Sequence, residues 1–119
     1  MDTYINNAKI TGTMLGKEDH GIMTFYLYVE FDNGGCGYGG YVLDEYDKAE
    51  KRRFGTAAGM QAITEILDCV GVDTWEELTG SFIRCEHEGW GGNIIRIGHL
   101  IKDKWLDLDE FCEKLEGNT

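Results

Sequence analysis

Residues 22–31 read IMTFYLYVEF, and this run decides the fold. Met23, Phe25, Leu27, Val29 and Phe31 alternate with Ile22, Thr24, Tyr26, Tyr28 and Glu30. A side-chain period of two puts the first set on one face of a β-strand and the second on the other. The first face is core. The second, with its two tyrosines, is a candidate subunit or ligand surface, although exposed tyrosines are common on strands. Asp32-Asn33-Gly34-Gly35 follows directly. Asn and Gly accept the positive φ that tight hairpin turns require, so the chain reverses there.

Working outward, Tyr4 to Leu15 reads as a strand interrupted by Gly12, ending in the polar turn Gly16-Lys17-Glu18-Asp19-His20-Gly21. Downstream, Cys36 to Leu43 is the second arm of the hairpin. The five glycines between Gly34 and Gly40 make it a bulged strand or a loop lying close against a ligand or a neighbouring chain. The charged segment DEYDKAEKRR, residues 44–53, reads as a connector. From Thr56 to Val70, Met60, Ile63, Ile66, Leu67 and Val70 fall at helical spacing, and Gly71 is placed to stop that helix. Thr74 and Glu77 form a capping box for a short helical turn that Gly80 ends. Ser81 to His87 and Asn93 to Ile101 are two further strands, joined by the glycine-rich turn Glu88-Gly89-Trp90-Gly91-Gly92. Asp107 to Leu115 reads as a last amphipathic helix, with Leu108, Phe111, Cys112 and Leu115 on one side. No repeat or linker divides residues 1–119. The expectation is one ligand-binding α+β domain, an antiparallel β-sheet with one long helix and one or two short ones.

Charge and motifs narrow the function. Residues 80–104, GSFIRCEHEGWGGNIIRIGHLIKDK, hold Arg84, Arg96, Lys102 and Lys104 against Glu86, Glu88 and Asp103, a net +1 inside a chain of formal charge −11. An acidic protein repels phosphate at long range and holds it only through a local, well-aimed cationic pocket. That suits a small anionic ligand and argues against direct nucleic-acid binding, which needs a broad basic face. The bland alternative is that these cations solvate strand surfaces and pair with nearby carboxylates. No apolar run is long enough to span a bilayer and the first residues lack the pattern of a secretory leader, which predicts a cytosolic protein. Cys36, Cys69, Cys85 and Cys112 are scattered, with no CxxC pair, as expected of reduced structural thiols.

No catalytic constellation stands out. Ser81 is the single serine and there is no GxSxG. There is no GxxxxGK[ST], and the string Gly35-Cys36-Gly37-Tyr38-Gly39-Gly40 runs into YVLD rather than opening a helix. Cys85 and His87 share one strand face, and His20 or His99 could complete a zinc set, but the spacing is not that of a zinc motif. His99 falls with Ile95, Ile97 and Ile101, the place of a hydrogen-bonded core histidine. No metal and no cofactor is expected. What remains is recognition chemistry: rings for stacking in Phe82 and Trp90, with Tyr38 as a third candidate, guanidinium forks for phosphate in Arg84 and Arg96, the Lys104 ammonium, and the Asn93 amide for a base edge or ribose. Strand periodicity sets Phe82, Arg84 and Glu86 on one face and Arg96 on the facing strand, so Phe82, Arg84 and Arg96 converge if the register matches. Each has a structural alternative: Phe82 as core, Trp90 as a hairpin cap, Asn93 as a turn residue.

Taken together, NAKITGTMLGKEDHGIMTFYL (7–27), GGCGYGGYVLD (34–44), GTAAGMQAI (55–63) and GWGGNIIRIGHLIKDKW (89–105) resemble the phage-encoded Thoeris anti-defence sponge family. That family counters bacterial TIR-based immunity by sequestering cyclic ADP-ribose signals without cleaving them, and its members also bind cyclic oligonucleotide signals. The resemblance covers nearly the whole chain but rests on no short diagnostic motif. It implies an antiparallel sheet with two helices, a homo-oligomer of dimers that can build a hexamer, ligand held between protomers, and a place in the host bacterial cytoplasm. It puts the aromatic stacking residue on Phe82 and the polar turn residue on Asn93. The rival reading is an acidic mimic of nucleic acid that blocks a defence nuclease. It requires Asp44, Glu45, Asp47 and Glu50 to line one surface, although Lys48, Lys51, Arg52 and Arg53 interrupt that stripe.

Overall fold

The computed structural model describes residues 2–31, 34–89 and 93–111. Strand β1 (Tyr4–Asp19) pairs antiparallel with β2 (Ile22–Phe31), and β2 with β3 (Gly34–Gly39). On the other side of β1 lies β6 (Phe82–His87), then β7 (Ile94–His99) and the two-residue β8 (Trp105–Leu106). The sheet order is therefore β3-β2-β1-β6-β7-β8. Between β3 and β6 the chain inserts a hairpin of β4 (Asp44–Asp47) and β5 (Arg52–Gly55), the helix α1 (Ala57–Val70) and a 3-10 turn (Trp75–Leu78). The described residues form an α+β fold, a six-stranded antiparallel sheet and a two-stranded one with one long helix and short helical turns.

The alternation of β2 is realised from Phe25 to Phe31, whereas Thr24, expected on the outer face, is buried with its hydroxyl donated to the Tyr41 carbonyl at 2.7 Å. Phe25, Leu27, Val29 and Phe31 are buried, and Tyr26, Tyr28 and Glu30 are exposed. Ala8 and Ile10 of β1, Ile83 and Cys85 of β6 and Ile97 of β7 join the buried face, against which α1 presents Ala62, Ile66, Cys69 and Val70. Fully burying side chains of this size stabilises by about 1.5–3 kcal/mol each, which holds the helix on this side of the sheet. Trp75 closes one end of the core. Its ring meets Phe25 edge-on at 6.1 Å, and its indole N–H donates to Thr13 Oγ1 at 3.0 Å. The sheet also curls until its two edge strands are bridged: the Tyr38 hydroxyl of β3 accepts from Leu108 N at 3.1 Å and sits 3.5 Å from the carbonyl of Leu106. Burial pushes the Tyr38 pKa well up, so the hydroxyl keeps its proton.

Helix α1 starts where expected. Thr56 is its cap, accepting from Gly59 N at 2.9 Å, and Gly71 ends it at φ 89°, in the left-handed region. At the 3-10 turn the N-cap half of the expected capping box is formed, Glu77 N donating to Thr74 Oγ1 at 3.3 Å, while the Glu77 carboxylate accepts from the Thr74 hydroxyl at 3.0 Å.

Two expectations need correction. The charged segment 44–53 is not a connector but a hairpin, with Tyr46 paired to Arg53 and Asp47 to Arg52. It is anchored by Asp44, which takes Arg53 at 2.8 Å and the Met23 amide at 3.0 Å. The first strand continues past Leu15, pairing Gly16 with Thr24 and Asp19 with Ile22 around a register shift, so the turn shrinks to His20-Gly21. The hairpin turn at Asp32-Asn33 lies outside the described residues, as do Trp90 and Cys112. Of the expected final helix, residues 108–111 are helical, with the Asp107 carboxylate accepting from Glu110 N at 3.2 Å.

Candidate functional site

The outward face of the sheet, opposite α1, carries the residues that the sequence singles out. Cross-strand pairing puts Lys9 opposite Phe82, Asn7 opposite Arg84, Glu86 opposite Arg96, and Gly98 opposite Trp105. Directly paired residues share a face, so Phe82, Arg84 and Arg96 lie on the same one, with Arg84 and Arg96 meeting at Trp105 and Phe82 four residues along β6 from the partner of Arg96. Their surroundings give them different roles.

Arg84 and Arg96 flank one ring. Their guanidinium carbons stand 4.6 and 4.2 Å from the centroid of Trp105, which is seated directly over Gly98. Arg84 also donates from Nε to the His99 carbonyl and from Nη2 to the Lys102 carbonyl, both at 2.7 Å. It fastens the turn between β7 and β8. Across that turn, His99 Nδ1 accepts from the amides of Ile101 and Lys102 at 3.1 and 3.0 Å, which makes it a turn-capping histidine. Arg96 donates from Nε to Glu86 Oε1 at 2.7 Å, and Thr3 holds the other carboxylate oxygen at 2.8 Å. These bonds, the one from Arg96 first, lower the Glu86 pKa. The recess beside Arg96, about 360 Å³, is lined by Glu86, Asp107 and Glu110 as well. Three carboxylates around one guanidinium repel phosphate.

Phe82 is different. Its side chain is 56% exposed, in contrast with the fully buried Ile83 beside it. The Lys9 ammonium stands 5.9 Å from its ring centroid. Together with Asn7, Thr11 and Glu30 they line a recess of about 440 Å³. A planar ring, one cation, one carboxylate, one amide and one hydroxyl line this recess, groups that can meet the base, phosphate and ribose of a nucleotide.

The remaining candidates lie elsewhere. Asn93 is exposed at the far end of β6, where its carbonyl accepts from Glu88 N at 3.3 Å. Phe82 opens that strand six residues before Glu88, so roughly 20 Å of extended chain separates the two. Lys104 is exposed, with its carbonyl bonded to His99 N at 2.9 Å, and its charge acts on Cys69 on the helix side of the sheet. Within one protomer, Asn93 and Lys104 do not join Phe82. Lys9 carries the site and Trp105 organises the two arginines beside it, and the sequence reading singles out neither. Lys9 had a signal, as the one charged residue between Tyr4 and Leu15, but only register shows that it faces Phe82.

Cys85 and His87 do share the inner face, both buried. His87 contacts Asn6 Oδ1 through Nε2 at 2.7 Å and accepts from Gly89 N at Nδ1 at 3.1 Å, and burial raises the Cys85 thiol pKa to about 12. Among the described residues no three His, Cys, Asp or Glu gather to hold a metal ion, and no helix is long and apolar enough to cross a membrane. The acidic stripe that a nucleic-acid mimic needs is broken: Asp44 is tied inward to Arg53, and Asp47 accepts from the amides of Ala49 and Glu50 at 2.8 and 3.1 Å. Compared with family models, curated proteins and solved structures, the chain matches none.

Proposed function

We propose that the protein binds a nucleotide immune signal, a cyclic ADP-ribose isomer or a related cyclic oligonucleotide, on the open sheet face around Phe82 and sequesters it without cleavage. The observation that carries this reading is the exposed Phe82 ring under the Lys9 ammonium, beside Asn7 and Thr11. Sequestration needs complementarity and slow release rather than transition-state stabilisation, so a site made of a ring, a cation and an amide suffices. The sequence resemblance to the Thoeris anti-defence sponges supports the same conclusion. With it come the expectations of a phage protein acting in the host bacterial cytoplasm as a homo-oligomer, a dimer or hexamer. A second protomer would also be the route by which Asn93 or Arg96 reaches a ligand seated at Phe82.

The test incubates purified protein with a cyclic ADP-ribose isomer made by a TIR enzyme, removes the protein by filtration, and measures ligand in the filtrate before and after heat denaturation. Depletion followed by recovery of intact ligand is the expected result. A changed product would mean catalysis, and an undepleted filtrate would remove this ligand from consideration.

A further inference from the structure

We infer that the nucleotide surface extends across β1 to Tyr28 and Glu30, where a ring of the ligand stacks on the face of Tyr28 turned away from Tyr26 and a ribose hydroxyl or exocyclic amine donates to Glu30. This deepens the proposed function and rests on it. The sequence offers this strand face as a candidate subunit or ligand surface without assigning either residue a contact.

The geometry begins with the tyrosine pair. Tyr26 and Tyr28 lie two residues apart on one strand face, with centroids 6.2 Å apart and planes 13° from parallel. The Cδ2 edge of Tyr28 lies towards Gly12 of β1 and its Cδ1 edge towards Gly37 of β3, so the ring stands across the strand and its faces look along it. One face of Tyr28 is therefore turned to Tyr26 and the other towards Glu30. Glycines flank the Tyr28 ring on both neighbouring strands. A Cβ at Gly12 would touch one edge of the Tyr28 ring at 3.8 Å, and one at Gly37 would touch the other at 3.9 Å. Opposite Glu30 lies Gly35, where a Cβ would press the Val29 carbonyl at 2.8 Å. The recess between Tyr28 and Glu30, about 510 Å³, thus has backbone rather than side chains along its β3 side.

The spacing fits a planar group. A ring in van der Waals contact with Tyr28, at about 3.5 Å, lies midway between the Tyr28 and Glu30 rows. Tyr28 is 44% exposed, and among the described residues no side chain pairs with the Glu30 carboxylate. An exposed carboxylate accepts hydrogen bonds and donates none, which selects a ligand bearing hydroxyls or amines. The recess shares Thr11 and Glu30 with the one at Phe82, and Lys9 pairs in register with both Phe82 and Glu30. Lys9 is thereby placed between two aromatic platforms, where a phosphate joining the two halves of a ligand would lie. One cation beside one carboxylate suits a ligand carrying both anionic and donor groups. It does not suit a simple anion.

The experiment measures retention of a cyclic ADP-ribose isomer by wild type, Tyr28→Ala, Tyr28→Phe and Glu30→Gln, with Met60→Ala on the exposed side of α1 as a control. Millimolar AMP is titrated in parallel while the Tyr28 ring resonances are followed by NMR. Loss of one stacking contact weakens binding about tenfold. The expectation is that loss in Tyr28→Ala, near-full retention in Tyr28→Phe, severalfold weakening in Glu30→Gln, and AMP-dependent movement of the Tyr28 resonances. Retention by Tyr28→Ala and Glu30→Gln equal to wild type would overturn the extension and leave the proposed function standing. Movement of the Tyr28 resonances by AMP without retention of the cyclic ligand would support the subsite and count against that particular ligand. Neither retention nor movement in wild type would overturn both.

Discussion

Arg84 and Phe82 are neighbours on one face, and their surroundings separate a structural residue from a binding one. Arg84 donates to two carbonyls and stacks on Trp105, so Arg84→Ala leaves two acceptors and a ring without their partner. We expect a loss of about 1–3 kcal/mol in urea unfolding, with any change in ligand binding following from that destabilisation. Phe82→Ala should do the reverse. Its ring is mostly exposed, so the urea midpoint should hardly move while ligand retention falls about tenfold. Two carboxylates set the acid limb. Hydrogen bonds from Arg53 to Asp44 and from Arg96 to Glu86 lower both pKa values below the ordinary range. A carboxylate with a depressed pKa is protonated more readily in the unfolded chain. Its stabilisation is therefore complete above the unfolded value of about 4 and is lost as pH falls through the lower folded value. Urea midpoints measured from pH 7 down to pH 3 should fall below about pH 4, and Asp44→Asn should flatten that fall while lowering the neutral-pH midpoint.

At the scale of elements, helix α1 is seated through Gly59 rather than through a large side chain. A methyl at that position would run into the carbonyl of Leu43. Gly→Ala in a helix interior ordinarily stabilises by roughly 0.5–1 kcal/mol. Here Gly59→Ala should lower the melting temperature, because α1 must shift from the Leu43 segment, and a gain in stability would show that the contact relaxes freely. The same comparison marks what the sequence discloses. Strand β2 and helix α1 are legible because each buries one face, and burial writes a period of two or 3.6 into the apolar residues. The Thr56 and Thr74 caps are legible because capping chemistry is local. Hairpin β4–β5 is not legible, since its strands stand apart from the main sheet and are held by Asp44 and Arg53 rather than by an apolar face. The pair Trp105–Leu106 is too short to show any period. Register explains the rest of the site. Alternation places Phe82, Arg84 and Arg96 on one side of the sheet, but only the Lys9–Phe82 and Glu86–Arg96 pairings separate a binding recess from an ion pair.

For the whole molecule, a formal charge of −11 makes salt dependence a discriminating measurement. A cyclic nucleotide is itself anionic, so at low ionic strength the approaching ligand is repelled by the protein's net charge before it reaches Lys9. Salt shortens the range of that repulsion, from about 30 Å at 0.01 M to about 8 Å at 0.15 M. The attraction to Lys9 acts at contact distance, well inside the screening length, and loses less. Raising salt across this range should therefore increase the association rate constant, with a smaller change in the dissociation rate. A protein whose acidic surface docks on a basic groove behaves oppositely, because its long-range term is attractive and screening slows association. Stopped-flow association at the two salt concentrations measures the sign directly. Acceleration with a nucleotide ligand fits a local cationic recess on an acidic sheet. Pronounced slowing would mean that the recess dominates the long-range field, and that the carboxylates around Arg96 and along β4–β5 contribute much less negative potential at Phe82 than their number implies.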